Sequence, residues 1–171
     1  MTRVRLITSR EQASPEQLET FDHIAASRGG RMLRPYAAMM HRPQIARAAA
    51  DLGAEIRYSS RLSDHDRELA ILATAIERVC GFERDAHRPI AVEAGVDEAT
   101  LAALDTEGSV DDGRDAILVD FVRSLCRNGA VGDATYESAI GLLGEERTVE
   151  LAAVVGFYSM LATFMGAFEL C

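Results

Sequence analysis

The sequence contains no lysine: its 18 basic residues are all arginine. That absence excludes a Schiff-base lysine, and with it ordinary pyridoxal-phosphate and aldolase-type chemistry, and also the lysine of a P-loop. No Gly-x-Gly-x-x-Gly run occurs, which removes the usual dinucleotide fingerprint. Cysteine is scarce; the three residues are widely spaced and odd in number, a pattern that predicts no disulfide framework. No apolar run approaches membrane-spanning length, and the one at Val4-Arg5-Leu6-Ile7 is too short for a signal peptide. A cytoplasmic protein with no membrane partner is therefore expected. Strand-like alternation never persists beyond a few residues, so the fold class predicted is all-α, with about eight helices.

A net charge of −9 argues against nucleic acid as a partner, because phosphate attraction supplies most of that affinity. The charge is uneven. Residues 1–47 hold eight arginines against four acids, a net +4, which leaves −13 on the remainder. Such a basic segment suits contacts between copies or the binding of an anionic small-molecule substrate; scattered surface arginines fit it as well. With 171 residues, 48% of them hydrophobic, the chain is long enough for one domain with a substantial core.

Residues 1–13 read as an extended or loose arm, and 14–171 as a single helical domain. Ser14-Pro15-Glu16 has the composition of a helix start. Prolines 35 and 43 open two further helices, and Ser63 to Asp66 resembles a capping box before a mostly apolar, central helix from Arg67 to about Val79. Gly81 allows a bend into a second helix, Phe82 to Ala94, in which Pro89 is tolerable only near the first turns or at a kink. Asp105 to Asp112 is the most loop-like stretch. A long apolar helix from Glu145 to Leu170 carries small residues that permit close helix contact. Glu68-Leu69-Ala70 recurs as Glu150-Leu151-Ala152, and at the same offset His87 meets Glu169 and Cys80 meets Ala162. Read as a degenerate repeat, this makes the long helix scaffold and oligomer surface; chance similarity between two apolar helices explains it about as well.

The chemistry concentrates at Cys80, Glu83 and His87, spaced three and four residues apart so that a helix stacks them on one face, with Glu68 twelve residues upstream of Cys80. A carboxylate four residues before a histidine orients the imidazole and makes it more basic, as general acid–base work requires. The plain alternatives are a surface Glu–His pair and a small buried cysteine. His65, His87 and the glutamates match no metal-ligand spacing, so no metal is assigned.

Arg67-Glu68-Leu69-Ala70-Ile71-Leu72, then Cys80-Gly81-Phe82-Glu83-Arg84-Asp85-Ala86-His87-Arg88-Pro89-Ile90-Ala91, then Glu93-Ala94-Gly95-Val96, resembles the signature of the carboxymuconolactone decarboxylase family, which includes the alkylhydroperoxidase D-like proteins. His41-Arg42-Pro43 and Gly156-Phe157-Tyr158-Ser159-Met160-Leu161 extend the resemblance to roughly residues 30–170. It implies an alkylhydroperoxidase D-like helical bundle assembled as a trimer or hexamer. Hydroperoxidase members carry Cys-x-x-Cys; Glu83 stands at the second cysteine's position, which points to the decarboxylase-like branch. The resemblance implies a cofactor-free decarboxylase of a small carboxylated lactone or keto acid. In it His87 is general acid/base, Glu83 orients it, Glu68 joins the relay and Cys80 lines the site, with Arg34, Arg84 and Tyr36 as substrate-binding residues. Phe82-Glu83-Arg84 in place of the family's Tyr-Glu-Trp adds a cation suited to a different anion. The rivals are a one-cysteine peroxidase using Cys80 with an external resolving thiol, and a non-catalytic oligomeric small-molecule binder.

Overall fold

The computed structural model describes residues 2–111 and 113–171. Met1 of the expected arm and Asp112 of the expected loop lie outside them. Among the described residues there are nine α-helices, a 3-10 turn at Arg10–Gln12 and no strand. The chain divides into two compact units, one running to Ser59 and including Phe164–Leu170, the other comprising Ser60–Thr163 and Cys171.

The first unit contains α1 (Leu18–Ala26), α2 (Arg34–Met39) and α3 (Pro43–Tyr58). Proline occupies the first turn of α2 and α3, where its missing N–H costs no intrahelical bond. Helix α1 starts later than Ser14-Pro15-Glu16 predicts. Gln17 bends its side chain back to accept from the Ser14 N–H at 2.8 Å, so these residues form a turn ahead of the helix. The arm is extended and pinned: Arg3 N–H donates to the Phe168 carbonyl, Ile7 N–H donates to that of Ala37, and the Ile7 side chain is fully buried.

The second unit contains α4 (Asp64–Glu77), α5 (Gly81–Glu93), α6 (Glu98–Asp105), α7 (Gly113–Asn128) and α8 (Asp133–Leu143). It also includes α9 (Glu145–Ala167) as far as Thr163. Ser63 caps α4 as expected, accepting from the Asp66 N–H at 3.1 Å. Every residue from Asp66 to Ala75 is buried, and α4 packs against α5 on one side and α7 on another. Leu69, Ile71 and Leu72 lose all exposure, each contributing about 2–3 kcal/mol by leaving water. The buried Asp66 carboxylate is met by the Arg114 guanidinium from α7. By length and composition α9 is apolar enough to cross a membrane, with mean hydropathy 1.5. This corrects the expectation that no such stretch exists: Glu150 and scattered hydroxyl residues interrupt the run that a reading of consecutive apolar residues looks for. Of that window, 44% is buried within the protein.

The bend between α4 and α5 falls at Val79, not at Gly81, which is already the first residue of α5. After Arg78 the chain forms a Schellman closure: Cys80 N–H donates to the Ala75 carbonyl and Val79 N–H to that of Ile76, each at 2.9 Å. The closure forces the residue after the cap into the left-handed region, and Val79 adopts φ 54° while 86% exposed. A β-branched residue is strained there, and this one recovers little by burial. Pro89 sits inside α5, forfeiting one helical bond.

The echoed Glu150 has a separate role. Its Oε2 accepts from the Ser60 hydroxyl and from the N–H groups of Arg61 and Leu62, holding the turn before α4. Burial works against its charge, but these bonds and the Arg61 guanidinium together hold the carboxyl below its ordinary range. A depressed folded value contributes stability above the unfolded pKa, lost as pH falls through the folded one. Glu150→Gln is therefore expected to lower the thermal midpoint at neutral pH, with the gap from wild type closing as the carboxylate titrates in acid. Val79→Gly is expected to stabilise the protein by about 1 kcal/mol, a rise of roughly 2–4 °C in midpoint; an unchanged or lower midpoint contradicts strain at Val79.

Candidate functional site

Helix α4 contributes Glu68, α5 contributes Glu83 and His87, and α9 contributes Tyr158. Glu83 and His87 share a face of α5, as the four-residue spacing predicts. Cys80 stands just ahead as the N-cap residue, φ −103°, not as a third member of a helical stripe. Exposure is 0% for Glu68 and 4% for each of Glu83 and His87. The Glu83–His87 pair is therefore not a surface one.

The imidazole is held between two carboxylates. Its Nδ1 lies 2.7 Å from Glu68 Oε2, a hydrogen bond, and its Nε2 lies 3.6 Å from Glu83 Oε2. The orienting contact thus comes from Glu68 on the neighbouring helix, while the sequence assigns orientation to Glu83. The Tyr158 ring meets the imidazole edge-on, centroids 5.2 Å apart at 86°, and fixes its plane. Arg67 Nε lies 3.6 Å from Glu68 Oε1, so a guanidinium offsets part of the buried negative charge. A carboxylate at Nδ1 favours the tautomer with its proton there, which leaves Nε2 as the nitrogen turned toward Glu83.

Cys80 and Arg84 face a hollow of about 280 Å³, lined also by Ala75, Ile76, Val79, Gly81 and Asp105. Arg84 folds back over the start of α5, where a Cβ on Gly81 would lie 3.8 Å from its Nη2, and its Nε donates to Asp85 at 2.8 Å. The structure thus gathers Glu68, Glu83 and His87 into one buried row and places Cys80 and Arg84 at a hollow whose lining does not include that row. Arg34 and Tyr36 belong to the first unit, where Arg34 donates to the Leu170 carbonyl and the Tyr36 hydroxyl accepts from Arg28. Among the described residues, no group of three or more His, Cys, Asp or Glu side chains is arranged to hold a metal ion.

One expectation is overturned. Cys80 is joined by a disulfide to Cys171, across 91 residues of sequence. Counting and spacing cannot find a pair that only the folded chain brings together. Tyr158 was missed too. It lies in the segment Gly156–Leu161 that carries part of the resemblance, yet the internal echo assigns that helix to scaffold, and the contact with His87 gives it a place in the site.

The carboxymuconolactone decarboxylase family model matches residues 43–119. No curated protein matches the sequence. Among solved structures, an alkylhydroperoxidase AhpD core, described as an uncharacterized peroxidase-related protein from Ralstonia eutropha JMP134, superposes with a TM-score of 0.76 at 16% identity. That match covers 99% of this chain and 91% of the other. A peroxidase-related protein from Silicibacter sp. TM1040 gives 0.75 at 17% identity, covering 100% and 94%. A cysteine-to-alanine variant of the debrominase Bmp8, in complex with 2,3,4-tribromopyrrole, gives 0.76 at 16% identity, covering 99% and 92%. At these identities the likeness shows a shared fold.

Glu68→Gln keeps the shape but removes the charge that accepts from Nδ1, and is expected to cost about 1–3 kcal/mol in denaturant unfolding with an unchanged m-value. A cost near zero contradicts a stabilising contact between Glu68 and His87.

Proposed function

Since the chain belongs to the carboxymuconolactone decarboxylase family through residues 43–119 and has an alkylhydroperoxidase D-like fold, we propose that it decarboxylates a small carboxylated lactone or keto acid by proton transfer at His87. The observation that carries this reading is the buried imidazole, bracketed by Glu68 at Nδ1 and Glu83 near Nε2. When the carbon–carboxylate bond breaks, its electron pair passes into the conjugated carbonyl to give an enolate, so the substrate supplies its own electron sink. His87, protonated on both nitrogens, then delivers its Nε2 proton to carbon and is reprotonated from solvent by way of the Glu83 carboxylate, while Glu68 holds the ring in place. Arg84, at the hollow, is the cation that anchors the substrate's anionic group.

A second reading is favoured by one observation, the Cys80–Cys171 disulfide. Hydroperoxide reduction with Cys80 as the attacking thiolate ends in such a bond, and neighbours described as peroxidase-related share the fold.

The test is carbon dioxide release from a panel of small lactone and keto acids, run beside a peroxide-consumption assay. His87→Ala is expected to lower kcat by about 100-fold or more, and Arg84→Ala to raise KM about tenfold with kcat little changed. Full turnover in His87→Ala removes the imidazole from the reaction. Peroxide consumption that needs Cys80, with no carbon dioxide released across the panel, replaces the first reading by the second.

A further inference from the structure

The disulfide stands outside the proton-transfer reading, and its surroundings differ at its two ends. Cys80 is 1% exposed and is the N-cap of α5, where the first-turn N–H groups and the helix dipole favour a negative charge. Arg84 and Asp105 both line the hollow beside it, and Arg84 is paired with Asp85, so it is the helix N-terminus that favours the charge. Cys171 is an exposed residue, four positions beyond the end of α9, with its sulfur part-buried 3.7 Å from the Ala162 carbonyl oxygen. In thiol–disulfide exchange the sulfur that can be reached is attacked, and the sulfur better able to carry charge leaves. Access and leaving-group quality therefore fall on different cysteines of one pair.

We propose that Cys80–Cys171 is a thiol–disulfide exchange site for small thiols and their disulfides, with Cys171 as the sulfur that exchanges and Cys80 as the one that leaves and returns. An incoming thiolate bonds to Cys171 Sγ, the Sγ–Sγ bond breaks, and its electron pair goes to Cys80 as thiolate. A second thiolate attacks the substrate sulfur of the mixed disulfide, releasing the small disulfide and the Cys171 thiolate. Two electrons have then entered the protein, and two thiols have been oxidised to one disulfide. The reverse sequence consumes a small disulfide, with Cys80 resolving the mixed disulfide on Cys171. The hollow of about 280 Å³ borders Cys80 and its lining does not include Cys171, so an incoming thiol meets Cys171 from the exposed side of that residue. Cys126, the free cysteine, lies elsewhere, on α7 against Arg78 and Ser159, and burial pushes its thiol up, away from reactivity.

The test uses the full chain with Cys126→Ser, equilibrated in mixtures of reduced and oxidised glutathione, then alkylated and weighed intact. Two cysteines are expected to change state together as one two-electron couple without denaturant. Adding Cys80→Ser is expected to trap one glutathione on Cys171; adding Cys171→Ser instead is expected to leave Cys80 modified at least tenfold more slowly. A native protein that forms no disulfide in oxidised glutathione overturns the proposal, as does a disulfide that opens only after denaturation. Faster modification of Cys80 than of Cys171 overturns the assignment of roles. The reading holds for the unsubstituted thiol pair, so a variant that fails to fold leaves the redox titration to decide. Carbon dioxide release by the same protein is a separate readout, and its presence or absence does not alter these outcomes.

Discussion

Two carboxylates from different helices, one imidazole and one guanidinium are buried together, shielded from solvent. Charge there must be matched inside the protein, because the solvent that would otherwise screen it has been removed. Glu68 reaches His87 from α4, Arg67 pairs with Glu68, and Glu83 closes the row from α5. The match depends on the separation and rotation of the two helices, so the electrostatics of the row and the packing of α4 on α5 are linked. The apolar residues of α4 supply most of the stabilisation; the polar row sets the register.

The short connection between those helices carries the other half of the site. A Schellman closure ends α4 and its left-handed residue turns the chain directly into α5, leaving Cys80 at the cap. A cap position puts a side chain beside the positive end of a helix. The same turn therefore accounts for a strained valine, a cysteine at a helix cap and the edge of a hollow, without any separate device for each.

The two echoed glutamates show how one sequence phrase serves two tasks. Glu68 is wholly buried and works on an imidazole, whereas Glu150 gathers a hydroxyl and two backbone N–H groups into the turn before α4. The difference lies in what each faces: a side chain from another helix in one case, unsatisfied main-chain donors in the other.

Helix class, the capped start of α4, the proline-led starts of α2 and α3, and the pairing of Glu83 with His87 are determined by the sequence itself, since each depends on residues within one or two turns. Propensity, capping and the 3.6-residue period act over that range and are legible without a fold. The tertiary structure alone decided that Glu68 rather than Glu83 makes the short bond to His87, that Tyr158 braces the ring, and that Cys80 meets Cys171. The last two contacts close over more than 70 residues of chain, as does Glu150–Ser60, while Arg114–Asp66 closes over 48. Nothing local encodes such meetings. They follow from how apolar faces stack, and a short polar side chain can reach a partner only after that stacking has set the distance between them.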